Sequence, residues 1–161
     1  MKASKSLPLA LLVALLVPPV PAQAHEKRDV TITQAWIRSS EYSDHVGGMT
    51  GIFARIKNNT NHEVILLGGK TRTAPMVQTH EVVGGIMRQK SGGIVIPAGK
   101  TVTLQPGGLH VMIMDLKRAI RSGARVHFTF AFKGARSQTI LLLAKPAAAG
   151  GENYTHKTTT E

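Results

Sequence analysis

Short runs of alternating or β-branched residues, each closed off by glycine, proline or asparagine, recur along almost the whole chain and leave no room for a long helix. They cover 29–38, 48–57, 63–67, 76–83, 86–90, 93–96, 101–104, 110–114, 125–132 and 137–144. The separators include Asn58-Asn59-Thr60-Asn61, Gly68-Gly69, Gly84-Gly85, Pro97-Ala98-Gly99, Pro106-Gly107-Gly108 and Gly123. A two-residue period puts successive side chains on opposite faces, and runs of this length between turn residues form strands. Many such strands close their core as an all-β sandwich or barrel. Only 115–122 (DLKRAIRS) has the spacing of a helical turn.

The chain opens with Lys2 and Lys5, an apolar run from Leu7 to Val17, then prolines and Ala22-Gln23-Ala24. That is the pattern of a secretory signal peptide, and the run is shorter than the roughly 20 residues that span a bilayer. We therefore expect residues 1–24 to be removed, leaving an exported protein that starts at His25. One domain then occupies 25–145, and 146–161 (PAAAGGENYTHKTTTE) forms a flexible polar tail.

No cysteine occurs in the 161 residues. Disulfides, a thiolate copper centre, Cys-ligated zinc, a Cys nucleophile and a lipid-modified cysteine are all excluded, so the core alone must hold the fold. The net charge of +11 suits electrostatic association with an anionic membrane or wall surface. Aromatics make up only 4% of residues and no basic run is interleaved with them, which argues against nucleic acid. The acids are few and scattered, and no G-x-S-x-G, HExxH or phosphate loop is present, so we expect no enzyme.

Chemistry concentrates in two stretches. In THEVVGGIMRQ (79–89), a two-residue turn at Gly84-Gly85 pairs Val83 with Ile86, Val82 with Met87, Glu81 with Arg88 and His80 with Gln89. His80, Val82, Met87 and Gln89 then share one face. In PGGLHVMIMDL (106–116), His110 and Met112 share a face by the same rule. If the two stretches lie side by side, two imidazoles and two thioethers converge. Thioethers are soft and carry no titrating proton, so such a set prefers Cu(I), with neutral imidazole as supplement. Each residue also has a plain structural role, since a strand methionine commonly fills core space and a strand-end histidine is commonly hydrogen-bonded or exposed.

Residues 79–116 also resemble the signature region of the PCu(A)C family of periplasmic copper chaperones, through His-Glu at 80–81, the IPAG turn at 96–99 and the PGG-x-H-x-M-x-M strand. The likeness extends to AWIR (35–38), MTGIFARIKNNT (49–60), GARVHFTFAF (123–132) and ENY (152–154). It implies a cupredoxin-like (Greek-key) β-sandwich that binds Cu(I) outside the cytoplasm and passes copper towards the Cu(A) centre of cytochrome c oxidase. The partner would be an oxidase subunit or another copper chaperone. The implied ligands are His80, His110 and Met112. For the fourth, the family carries M-x-M where this chain has Met87-Arg88-Gln89, with a shorter loop after it, and counting the family's spacing back from His110 lands on Arg88. Met87 has the fitting chemistry and face, so we assign it over Gln89.

Several residues are expected to stand outside that set. His127 alternates with the core phenylalanines and should be exposed; His45 and His62 fall in polar loops and should be solvated. Met49 and Met76 are candidate reserve ligands, Met76 by sharing strand parity with His80, but core packing is the expected role of both. Met114 is expected on the apolar wall of the site, and Glu81 either behind the ligands or as a surface charge. The contrasting function is an exported β-sandwich adhesion or binding module without metal. A third is a copper redox enzyme built on an N-terminal His25.

Overall fold

The computed structural model describes residues 28–40 and 48–146. The leader, His25, His45 and the tail beyond 146 lie outside the described residues. Among the described residues ten strands follow in order: β1 (Val30–Arg38), β2 (Gly48–Asn58), β3 (Val64–Lys70), β4 (Met76–Val83), β5 (Ile86–Gln89), β6 (Ile94–Ile96), β7 (Thr101–Leu104), β8 (His110–Leu116), β9 (Arg125–Lys133) and β10 (Gln138–Lys145). Each expected run is a strand, with ends displaced by a few residues at most.

Hydrogen bonding links them in the order β5-β4-β8-β2-β1-β10-β9-β3-β6, with β7 pairing β2. β1 joins the two halves of this path: it runs antiparallel to β2 and, at Trp36–Arg38, parallel to Leu143–Lys145 of β10. Strands far apart in sequence thus lie side by side, β8 between β4 and β2 and β3 between β9 and β6, the connectivity of an all-β Greek-key sandwich. The inner faces meet in one apolar core. Ile37, Ile52, Ile56, Val111 and Ile113 come from one side, and Leu66, Phe128, Phe130 and Leu142 from the other. Phe128 and Phe130 meet edge to face with ring centroids 4.7 Å apart. Burial of each such side chain contributes about 1.5–3 kcal/mol, which a cysteine-free domain needs in full.

Two expectations fail for reasons that local sequence does not carry. Gly68-Gly69 does not end a strand; it lies inside β3, at a register shift against β9. A Cβ on Gly69 would collide with the Thr129 carbonyl and the Phe128 ring, so the pair marks a close approach of β9, not a turn. The helical turn expected at 115–122 is absent. β8 continues to Leu116 through Asp115, which sits at φ 58° beside a register shift against Gly48–Thr50. The following backbone is satisfied across loops, with Lys117 N donating to Thr73 O at 3.0 Å.

A bulge in β1 sets up the functional face. Thr33 pairs with Arg55 but Trp36 pairs with Phe53, so β1 carries one extra residue there, and Gln34 takes φ 52°. Before the bulge Val30 and Ile32 face the core; after it Ile37 does. The slip turns Trp36 and Arg38 to the outer face, as bulges beside functional surfaces commonly do.

Candidate functional site

The hairpin of β4 and β5 has the expected register: His80 opposite Gln89, Glu81 opposite Arg88, Val82 opposite Met87 and Val83 opposite Ile86. Gly84 and Gly85 take φ 59° and 79°, the left-handed values that a two-residue turn of this kind requires. β4 also pairs with β8, which sequence periodicity alone does not show. His80 stands directly opposite His110, Gln78 opposite Met112 and Met76 opposite Met114. The two imidazole centroids are 5.7 Å apart.

These side chains lie on the outer face of the sheet, because Val111 and Ile113 of β8 take the core. A cavity of about 170 Å³ opens on that face at the Pro106-Gly107 loop, with Met87, His110, Met112 and Met49 on its walls together with Phe53 and Arg38. His110 and Met112 are only 4% and 7% exposed, whereas Met87 is 51% exposed. Phe53 lies beside His110, with ring centroids 6.2 Å apart, and itself meets the tilted Trp36 ring at 4.6 Å.

Hydrogen bonds assign the ring nitrogens. His110 Nδ1 lies 2.9 Å from Gly108 O; a carbonyl only accepts, so Nδ1 carries the proton and Nε2 keeps its lone pair. His80 Nε2 lies 3.1 Å from Gln78 Oε1, and Gln78 Nε2 faces Met76 Sδ at 3.8 Å, which points the amide oxygen at His80. His80 Nε2 therefore donates, and its Nδ1 bears a lone pair. That Nδ1 is buried and has no hydrogen-bond partner. Such an atom is rare in a folded protein and suits a soft cation. The His80 pKa is lowered, first by burial and then by the neighbouring His110, which keeps the ring neutral and able to ligate.

Of the predicted ligands, the structure brings His80 beside His110 and sets His110, Met112 and Met87 around one cavity. Gln89 stands opposite His80 on the same face, and Arg88 points away, bonded through Nε to Glu81 at 3.0 Å. Glu81 also takes Lys90 Nζ at 2.8 Å, so its charge belongs to the reverse face of the hairpin; hydrogen bonds from Lys90 first, and from Arg88, lower its pKa.

Met49 and Met76 are not core residues: they are 56% and 42% exposed. Met49 reaches the cavity because Gly51 pairs with Met112, which sends the odd residues of β2 outward. Met114 is displaced from the expected wall and pairs with Met76 further along. His127 is exposed, as expected. His62 is exposed yet anchored, with Nε2 2.9 Å from Gly134 O. Sequence reasoning missed Gln78, although its two-residue offset from His80 was readable, and it missed Trp36, Phe53 and Arg38. Among the described residues no group of three His, Cys, Asp or Glu side chains converges on a metal position, and the groups gathered on this face are imidazoles, thioethers and amides.

Solved PCuAC domains share this architecture. The copper-bound PCuAC domain from PmoF2 superposes with a TM-score of 0.63 at 22% identity, covering 73% of this chain and 93% of that one. The solution structure of apo-DR1885 from Deinococcus radiodurans gives 0.57 at 24% identity over 92% and 99%. The class is thus an all-β sandwich with the PCuAC fold. Within it, the chain belongs to the family described as "Putative lipoprotein LpqE-like", whose profile matches residues 30–142. A relative in that sense is the protein of Leifsonia xyli subsp. xyli described as "Putative lipoprotein Lxx21020", 30% identical over 142 residues that cover 84% of this chain and 82% of that protein.

Proposed function

We propose that this protein is an exported, non-catalytic copper carrier that holds one Cu(I) through His80, Met87, His110 and Met112. The observation that carries the proposal is the buried, unpartnered Nδ1 of His80 beside a second imidazole whose own Nδ1 is already committed to a carbonyl. All four donors are neutral, and the Arg38 guanidinium on the cavity wall lies 5.2 Å over the Phe53 ring with its Nε unpartnered. A positive group next to neutral ligands disfavours a divalent ion and favours Cu(I). Copper-bound PCuAC domains from PmoF2 and from DR1885, the latter as Cu(I), support the choice of metal.

Neutral thioethers release a metal more readily than thiolates do, and the exposed Met87 gives a recipient access, as a carrier requires. Resemblance to the PCu(A)C family extends the proposal to delivery towards the Cu(A) centre of cytochrome c oxidase. The leader pattern at 1–24 and the lipoprotein descriptions of the relatives support export.

The test is anaerobic Cu(I) titration with X-ray absorption on the loaded protein. One bound copper with nitrogen and sulfur neighbours in equal number is expected. Failure to retain copper, or a shell without sulfur, would overturn the proposal in favour of a metal-free binding module.

A further inference from the structure

A second, larger cavity differs in character from the methionine-lined one. A cleft of about 1040 Å³ opens where the β3–β4 loop, the β8–β9 loop and the start of β9 meet. Lys70, Arg72, Arg118, Arg121 and Arg125 line it, and among the described residues no aspartate or glutamate does. Among the described residues none of these five cations is in an ion pair. Among the described residues the ion-paired acids lie elsewhere, Asp29 on Arg136 and Glu81 on Arg88 and Lys90. Like charges gathered in a concave surface repel one another and stabilise nothing by themselves; a bound anion would relieve the repulsion.

The walls are pinned before any ligand arrives. Ser40 N donates to Ile120 O at 2.8 Å, and Ile120 N donates back to Ser40 Oγ at 2.8 Å. Lys117 N ties the β8–β9 loop to Thr73 O, and Thr71 Oγ1 donates to His127 O at 3.1 Å. On the floor, Thr129 and Thr139 hydroxyls share one hydrogen bond of 2.8 Å, so one hydroxyl proton stays available to an acceptor. Four of the five cations are arginines, whose planar forks match phosphate oxygens in pairs, as single lysine ammoniums do not.

We infer that this cleft binds a multivalent phosphate-bearing anion. The cations come from three segments around a volume larger than one phosphate fills, which calls for several phosphates and not a single ion. Either an anionic phospholipid headgroup layer or a soluble phosphate polymer presents that chemistry. The cleft shares no lining residue with the methionine-lined cavity, so the inference stands apart from copper binding.

Calorimetry with linear polyphosphate at low salt tests it, alongside cosedimentation with vesicles of phosphatidylcholine containing phosphatidylglycerol. Saturable polyphosphate binding is expected, weakening steeply between about 50 and 200 mM salt. Substitution of Arg118, Arg121 and Arg125 together by Gln should weaken it by roughly tenfold or more. A triple of equal charge loss on the exposed β2–β7 side, Arg55→Gln, Lys57→Gln and Lys100→Gln, should change it by less than about twofold if the cleft and not net charge is responsible. Vesicle binding that polyphosphate displaces assigns the lipid source; polyphosphate binding without vesicle binding assigns the soluble one. Absence of saturable polyphosphate binding, equal weakening by the control triple, or equally tight binding of polyglutamate would overturn the inference. Arg121→Glu alone serves if the cleft triple does not fold, and Cu(I) affinity should be unchanged in every variant.

Discussion

His110 and Met112 stand on β8, flanked by β4 and β2, and their neighbours Val111 and Ile113 are locked in the core. Met87 stands on β5, the outermost strand of the path, and is half exposed; His80 lies between, on β4. The cluster therefore has one half fixed by the sandwich and one half carried on an edge hairpin. The edge is held from behind by Glu81 with Arg88 and Lys90, exposed ion pairs that contribute little. The proposed carrier, which must both hold and surrender an ion, would have use for such a division: the fixed half would supply geometry and the compliant half the exit. The contrast predicts a gradient of mutational effect from β8 outward.

The largest effect belongs to the fixed half. His110→Ala should weaken Cu(I) binding by about 100-fold or more, since removing a ligand exceeds the roughly 10- to 100-fold typical of residues that only orient one. Met112→Leu should also weaken it severely while changing stability by less than about 1.5 kcal/mol, because the swap conserves volume. Competition with a chromophoric Cu(I) chelator reads the first and a denaturant melt the second. Wild-type affinity in both variants would remove β8 from the site.

At the compliant half, Met87→Leu should weaken Cu(I) by roughly 30-fold, about 2 kcal/mol. Gln89→Met in that background should recover most of the loss, because Gln89 stands opposite His80 on the ligand face. If Met87→Leu is silent while Gln89→Ala weakens binding, the edge ligand is Gln89.

Between the halves sits Gln78, opposite Met112 and hydrogen-bonded to His80. Gln78→Leu removes the acceptor that fixes the His80 tautomer and should cost about tenfold in Cu(I) affinity, as expected for a group that orients a ligand. Gln78→Glu keeps the acceptor and should restore the binding. An X-ray absorption spectrum with one imidazole fewer in Gln78→Leu alone would locate the effect at His80.

The same division explains what could be read from sequence. The hairpin register was legible because Gly84-Gly85 allows one tight turn, and period two then fixed the shared face of His80 and Met87. His110 and Met112 were legible by parity. The pairing of His80 with His110 was not, because β4 and β8 are non-local neighbours brought together by the whole sandwich. Trp36 and Arg38 were hidden by the bulge at Gln34, which reverses the parity of β1. Met49 was misjudged as core because its face depends on Gly51 lying opposite Met112. Gly68-Gly69 looked like a turn because the close approach of β9 leaves no local trace.

The smallest effect is on the metal-free protein and concerns protons. Burial, and secondarily His110, hold the His80 pKa below its ordinary 6.5. As the pH falls below 6.5 the unfolded chain takes up a proton that folded His80 refuses, so stability is complete above that value and declines beneath it until the folded pKa is passed. Glu81 acts lower: its pKa is depressed from 4.5, so its contribution persists above that value and is lost only as the pH drops through its folded pKa. Melting temperatures should therefore fall first as the pH drops below 6.5, and His80→Gln should flatten that step while leaving the more acid one. With Cu(I) bound, protons compete with the metal at His80, so the rise in melting temperature on loading should shrink as the pH falls. A wild-type profile that stays flat as the pH falls through 6.5 until the Glu81 step, and is unchanged by His80→Gln, would mean that His80 is not buried as its lone pair requires.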